Sequence, residues 1–199
     1  MKGPVPINLL TALPAEAKPL IERFNLQRNH RKTALPVYQA GDIQLAVSGV
    51  GIPAIREATR YLKAISVPDQ PIAWLNIGIC GHGSHTLGEA MIAERVITPQ
   101  GDRWDLSVPP GLAERCGVLC CVERPQAVYA AQMAYDMESA GFLAALNADE
   151  DMQRIGVLKV VSDNPEHCSE KITAKCVRAL IAQQAALITH MIDWLTRDD

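Results

Sequence analysis

Three acidic side chains in this sequence each lie within or just after an apolar segment. They are Glu16 in Leu13-Pro14-Ala15-Glu16, Glu138 in Tyr135-Asp136-Met137-Glu138-Ser139-Ala140-Gly141-Phe142, and Asp163 in Val160-Val161-Ser162-Asp163. A carboxylate drawn into apolar surroundings must find partners or shift its pKa. Groups held that way can protonate a leaving group, activate a water, or stabilise positive charge that develops as a bond breaks. Each also has an ordinary structural explanation: Glu16 can complement a helix dipole, and Asp163 can serve as an N-cap or an Asx-turn. Dismissing all three needs independent explanations, so their coincidence points to a shared site.

The surrounding pattern says how such groups would be positioned. Ile7 to Ala12 is apolar and leads into Pro14, which suits a first helical turn, so the run predicts strand, turn and helix with Glu16 in that turn. This is the carboxyl end of a strand, where open α/β sheets bind ligands. Gly41 to Ser48 alternates as a strand, ends in Ser48-Gly49-Val50-Gly51, and is followed by a helix over 52–64 with Ile55, Ala58 and Leu62 at helical spacing. Backbone N–H groups at such a turn suit an anion or a polarised water, although the glycines also serve a tight turn alone.

Residues 72–83, Ile-Ala-Trp-Leu-Asn-Ile-Gly-Ile-Cys-Gly-His-Gly, read as a strand buried on both faces of a parallel sheet. With Gly51, Gly78 and the adjacent Ile79, two glycine-bearing strand ends would form a floor on which a ligand meets backbone. Further strands are predicted at 90–98, 118–122 and 155–161, a small-residue helix from Met137, and one long helix from Lys171 to Arg197. Residues 25–40 read as a basic, polar connection and residues 98–110 as a polar loop. In that loop Trp104 either roofs a pocket by stacking on a flat ring or packs locally. The whole predicts a single α/β domain over 1–199.

Composition narrows the function classes. A net charge of −3 gives no basic footprint for nucleic acid or an anionic membrane. There is no apolar window of membrane-spanning length and no secretory leader pattern at the N-terminus, which predicts a cytoplasmic protein. The six cysteines lack CxxC spacing and read as small hydrophobes in a reducing compartment. His82 and His85 lack further ligands at metal-binding spacing, so neither metal nor cofactor is expected.

Ser48-Gly49-Val50-Gly51, Asn76-Ile77-Gly78-Ile79-Cys80-Gly81, Asp136-Met137-Glu138-Ser139 and Val161-Ser162-Asp163 occur in the order seen in the purine and uridine phosphorylase superfamily. The chain resembles methylthioadenosine/S-adenosylhomocysteine nucleosidases and the short hopanoid-associated nucleoside phosphorylase-like proteins over nearly its whole length. That resemblance implies a three-layer α/β sandwich around a central mixed, largely parallel sheet. It also implies a homodimer or higher homo-oligomer that cleaves the N-glycosidic bond of a nucleoside.

The same resemblance assigns Met137 and Glu138 to the ribose, Asp163 beside Ser162 to purine N7, and Glu16 to the attacking water. The superfamily's phosphorylases place an arginine and a Ser or Thr where this chain has Asn76 and Ile79, which favours water over phosphate. Arg28, Arg31 and Arg56 remain as sources of a phosphate site. The connection from Glu89 to Asp136 is shorter than in the nucleosidases, reducing the segment expected to contact the base. A phosphorylase, or a nucleoside-binding protein without turnover, are the alternatives.

Overall fold

A computed structural model describes residues 5–29, 35–66, 70–126, 128–146 and 154–197. Near-continuous apolar runs build four strands that run parallel side by side at the centre of one sheet. In spatial order they are β4 (Ile43–Val47), β1 (Ile7–Thr11), β5 (Ala73–His82) and β10 (Ile155–Asp163). Their side chains divide between two cores: Leu10, Ala46 and Trp74 point to one face, and Leu9, Leu45 and Leu75 to the other. Both faces are covered, which is why these segments lack a polar side.

The first face is covered by α2 (Ile52–Ile65) and α3 (Ser139–Leu146), which pack on each other through Ile55 and Leu62 of α2 and the fully buried Phe142 of α3. The second is covered by α1 (Pro14–Arg23), α4 (Ala174–Gln183) and α5 (Ala185–Leu195), through Ala17, Leu20, Ile181, Ile188 and Met191. The result is the expected three-layer sandwich.

The sheet is parallel at its centre and mixed at its margins. Beyond β4, β3 (Val37–Ala40) and β2 (Gln27–Arg28) add antiparallel strands. On the other side β5 and β10 close into a ring through β6 (Ala90–Ile97), β8 (Cys116–Cys121) and β9 (Ala134–Asp136). The short β7 (Arg103–Asp105) hangs on β6. This ring positions the site, because it brings the end of β9, and with it the Asp136-Met137-Glu138 segment, against β5 and β10.

Several elements differ from the sequence-based expectation. The stretch read as one helix from Lys171 to Arg197 contains two, broken at Gln184, whose backbone leaves the helical region and whose side-chain amide donates to Gly88 O at 2.7 Å. The helix read from Met137 begins at Ser139, because the Asp136 carboxylate accepts from the Ser139 N–H at 2.9 Å and so sets its start. The connection over 25–40 carries β2 and β3, and the loop over 98–110 carries β7. His30, Arg31 and Lys32 lie outside the described residues. All six cysteines are free thiols. No described helix is long and apolar enough to cross a membrane.

Candidate active site

A cavity of about 160 Å³ opens at the carboxyl ends of the central strands. Glu16, Glu138 and Asp163 all line it, together with Met137, Ile79 and Ser162. Three acids far apart in sequence therefore meet in one place.

Glu16 stands in the first turn of α1, and both of its carboxylate oxygens accept backbone hydrogen bonds. One oxygen accepts from the N–H groups of Ala12 and Leu13 at 2.9 and 2.8 Å, and the other from the N–H of Ile79 at 3.0 Å. Glu16 thus caps its own helix, as a dipole-complementing residue would, and also reaches across to β5. Gly78 makes that reach possible, since a Cβ there would come within 3.0 Å of the Glu16 carboxylate and 3.2 Å of the Lys159 ammonium. Burial raises the Glu16 pKa to about 6, against the opposing pull of Lys159 and the backbone donors.

Glu138 follows β9 and accepts from the Gly51 N–H at 2.8 Å. Gly51 begins α2 with a φ of 98°, a conformation that would strain any residue with a Cβ, and it points its N–H at the carboxylate. Gly51 therefore serves the site through Glu138, with Val50 forming the adjoining wall. Burial raises the Glu138 pKa as well, with Lys159 opposing and the Asp136 charge adding to the rise.

Beneath these two acids sits Lys159, in the middle of β10 and 1% exposed. Its ammonium lies 2.9 Å from Asp136 Oδ2. Burial alone would lower its pKa, but Asp136, Glu138 and Glu16 outweigh it and hold the ammonium charged. Asp136 in turn accepts from the Ser139 N–H and, at 2.6 Å, from the Ser139 hydroxyl. A buried charge without such partners would cost several kcal/mol by itself, roughly. Lys159 and Asp136 therefore fix the ground on which Glu138 and Glu16 stand.

The opposite end of the cavity is organised by neutral groups. Asp163, at the end of β10, accepts from the Ser162 hydroxyl at 2.6 Å on one oxygen and from the Tyr129 phenol on the other. Burial and this hydrogen bond raise the Tyr129 pKa, so the phenol is the donor.

Not every expected site residue reaches the cavity. Trp104, which the sequence left between roofing a pocket and local packing, lies on β7, paired with Val96 and packed on the first core, and is not among the residues that line the cavity. Arg28 and Arg56 are likewise absent from the lining. His82 and His85 stack at 3.8 Å, and His82 Nδ1 already accepts from the N–H groups of Ser84 and His85. Among the described residues, no group of three or more His, Cys, Asp or Glu is arranged to hold a metal ion.

Two residues escaped the sequence reading. Lys159 had a signal, a lone lysine inside an apolar strand that is buried on both faces and so requires a counter-charge. Tyr129 had none, because nothing in the sequence ties it to an aspartate 34 residues away.

No family model and no curated protein matches the chain in sequence. Solved structures do match in three dimensions. The 5'-methylthioadenosine nucleosidase of Arabidopsis thaliana in apo form aligns with a TM-score of 0.76 at 16% identity, over 100% of this chain and 98% of that one. The 5'-methylthioadenosine/S-adenosylhomocysteine nucleosidase of S. pneumoniae, with a transition-state inhibitor, aligns with a TM-score of 0.73 at 15% identity, over 96% and 100%. A futalosine hydrolase mutant of Helicobacter pylori aligns with a TM-score of 0.73 at 14% identity, over 95% and 99%. The chain thus has the nucleoside phosphorylase-like fold that these nucleosidases and futalosine hydrolase share.

Proposed function

We propose that this chain hydrolyses the N-glycosidic bond of a purine nucleoside. The reading rests on one observation: Glu16, Glu138 and Asp163 converge on a single cavity whose described lining contains no arginine or lysine. A cavity rich in carboxylates favours an oxocarbenium-like sugar and disfavours a phosphate anion. Water is the acceptor that suits it.

In this mechanism Glu138 accepts from the sugar hydroxyls, held in place by Gly51 and by the Lys159–Asp136 pair. Asp163 passes a proton to purine N7 as the bond from the sugar to N9 breaks, so the base leaves neutral. Glu16 takes a proton from the water that adds to the sugar carbon, and a pKa near 6 suits a base that works at neutral pH. Met137 and Ile79 supply apolar walls. The apolar lining, Val50, Val122, Pro125 and Ile172 included, fits a nucleoside with an apolar or thioether 5' group. A homodimer or higher homo-oligomer is the expected assembly, to be measured by sedimentation.

The deciding experiment incubates the protein with a panel of nucleosides, with and without phosphate, and reads free base by liquid chromatography. Base release without phosphate is the expected result. Release that depends on phosphate and yields ribose 1-phosphate would replace the proposal with a phosphorylase. One observation favours a second reading, a nucleoside-binding protein without turnover: Tyr129 already occupies Asp163. Calorimetric binding with no base release at high enzyme concentration would select it.

A further inference from the structure

Both carboxylate oxygens of Asp163 accept a hydrogen bond in this structure. The Ser162 hydroxyl donates to one and the Tyr129 phenol to the other, so the group assigned to the leaving base already holds a donor on each oxygen before any base arrives.

The contact is built in by the surrounding chain. Tyr129 belongs to a segment, residues 128–133, that crosses the end of β5. There Gly81 and Gly83 leave room for it. A Cβ on Gly81 would lie 2.6 Å from Cε1 of Tyr129 and 2.7 Å from Asp163 Oδ2, and one on Gly83 would lie 2.0 Å from Ala130 O. The segment is tied down as well: the Ser84 hydroxyl donates to Ala131 O at 2.5 Å, and the Ala130 N–H donates to the Tyr135 hydroxyl at 3.3 Å. The rings of Tyr129 and Tyr135 meet at a centroid distance of 5.6 Å. On its outer side the segment faces solvent, Val128 being 82% exposed, so Tyr129 is its inward tooth.

The cavity that remains, about 160 Å³, is smaller than the 300–1,000 Å³, roughly, of sites that enclose an organic ligand. A planar ring with a hydrogen-bonding edge is what fills the missing space. We infer that Tyr129 stands in the base subsite of the empty protein, docked on Asp163 as a surrogate for the purine, and that a nucleoside enters by displacing the phenol and taking over its hydrogen bond.

This inference rests on the proposed nucleoside site and adds a selection rule to it. The phenol is a donor to Asp163, so the ligand that replaces it best presents an N–H at the same edge of a flat heteroaromatic ring. A ring whose edge nitrogen is a bare acceptor must wait for Asp163 to bring the proton. Sugars and anions without such a ring gain nothing that offsets the lost phenol bond.

Tyr129→Phe tests the idea, because it keeps the ring between Gly81 and Tyr135 and removes only the donor. The probe is a carbon-linked adenosine analogue with an N–H at the N7 position, whose glycosidic bond cannot hydrolyse, titrated calorimetrically into the full chain and into Y129F. Loss of a charge-assisted competitor should tighten binding by about tenfold or more in the variant. A second readout uses carbon-labelled tyrosine in the wild-type protein, with Tyr129 assigned by its absence from Y129F. Its phenol should titrate above the ordinary tyrosine range in the empty protein and return toward that range at saturation. Equal or weaker binding by Y129F overturns the inference and leaves the nucleosidase reading intact. So does a Tyr129 signal that saturating analogue does not move. Failure of both proteins to bind the analogue removes the nucleoside site itself, and this inference with it.

Discussion

The two ends of the cavity are held by different physics. At the end assigned to the sugar, Glu16 and Glu138 are anchored by five backbone N–H contacts and stand over a buried Lys159–Asp136 ion pair. At the end assigned to the base, Asp163 is held by two neutral hydroxyls, one of them on a segment that reaches across from solvent. Charges buried together cannot be rearranged cheaply, whereas hydroxyl donors exchange with a ligand at small net cost. On the proposed function, the first end is pre-organised for a developing cation, and the second for the arrival and departure of a ring.

The sharpest way to break this contrast is to change one group at each end. Asp163→Asn keeps a carbonyl acceptor for one of the two hydroxyls and presents an NH2 to the other, which can turn to accept from it, so stability should change by about 1 kcal/mol while base release falls by about 10² to 10⁴. Thermal unfolding and single-turnover rates check the pair of statements, and a D163N variant as fast as wild type ends the acid assignment. Lys159→Met should do the reverse in kind. It leaves Asp136 and Glu138 buried without their counter-charge and should cost about 3–5 kcal/mol in denaturant unfolding. Adding Asp136→Asn to it should restore much of that loss, and no recovery would mean that the cost lies in packing.

Glu138→Gln should weaken binding and rate together, by about tenfold or more each, because the sugar loses a charged acceptor. A loss confined to rate would move Glu138 from binding to chemistry. The pH dependence is expected to separate activity from stability. Glu16 must be ionised to take a proton from water, so activity should fall as pH drops through about 6, and Glu16→Gln should abolish that limb. Stability runs the other way. The folded pKa of about 6 exceeds the ordinary 4.5, so this group's contribution is fully present below 4.5 and is lost as pH rises through 6. That difference amounts to on the order of 2 kcal/mol. Unfolding midpoints of wild type and Glu16→Gln measured between those values would reveal the wrong sign at once. The smallest effect belongs to Trp104, where Trp104→Phe should leave nucleoside affinity unchanged, since the side chain packs on the core.

Sequence alone determined the parts of this molecule whose reasons are local. The parallel strands were legible because both of their faces are buried and their runs are continuously apolar. The three carboxylates were legible because each interrupts or ends such a run. What depends on distant partners was decided only by the tertiary structure. The break at Gln184 is tied to Gly88, 96 residues away; Lys159 finds its counter-charge only when β9 closes against β5 and β10; Tyr129 meets Asp163 only because the chain crosses two bare glycines. Local pattern fixes which residues are buried and on which face. Which buried charge meets which, and what ring fills the remaining space, is set by how the elements close on one another.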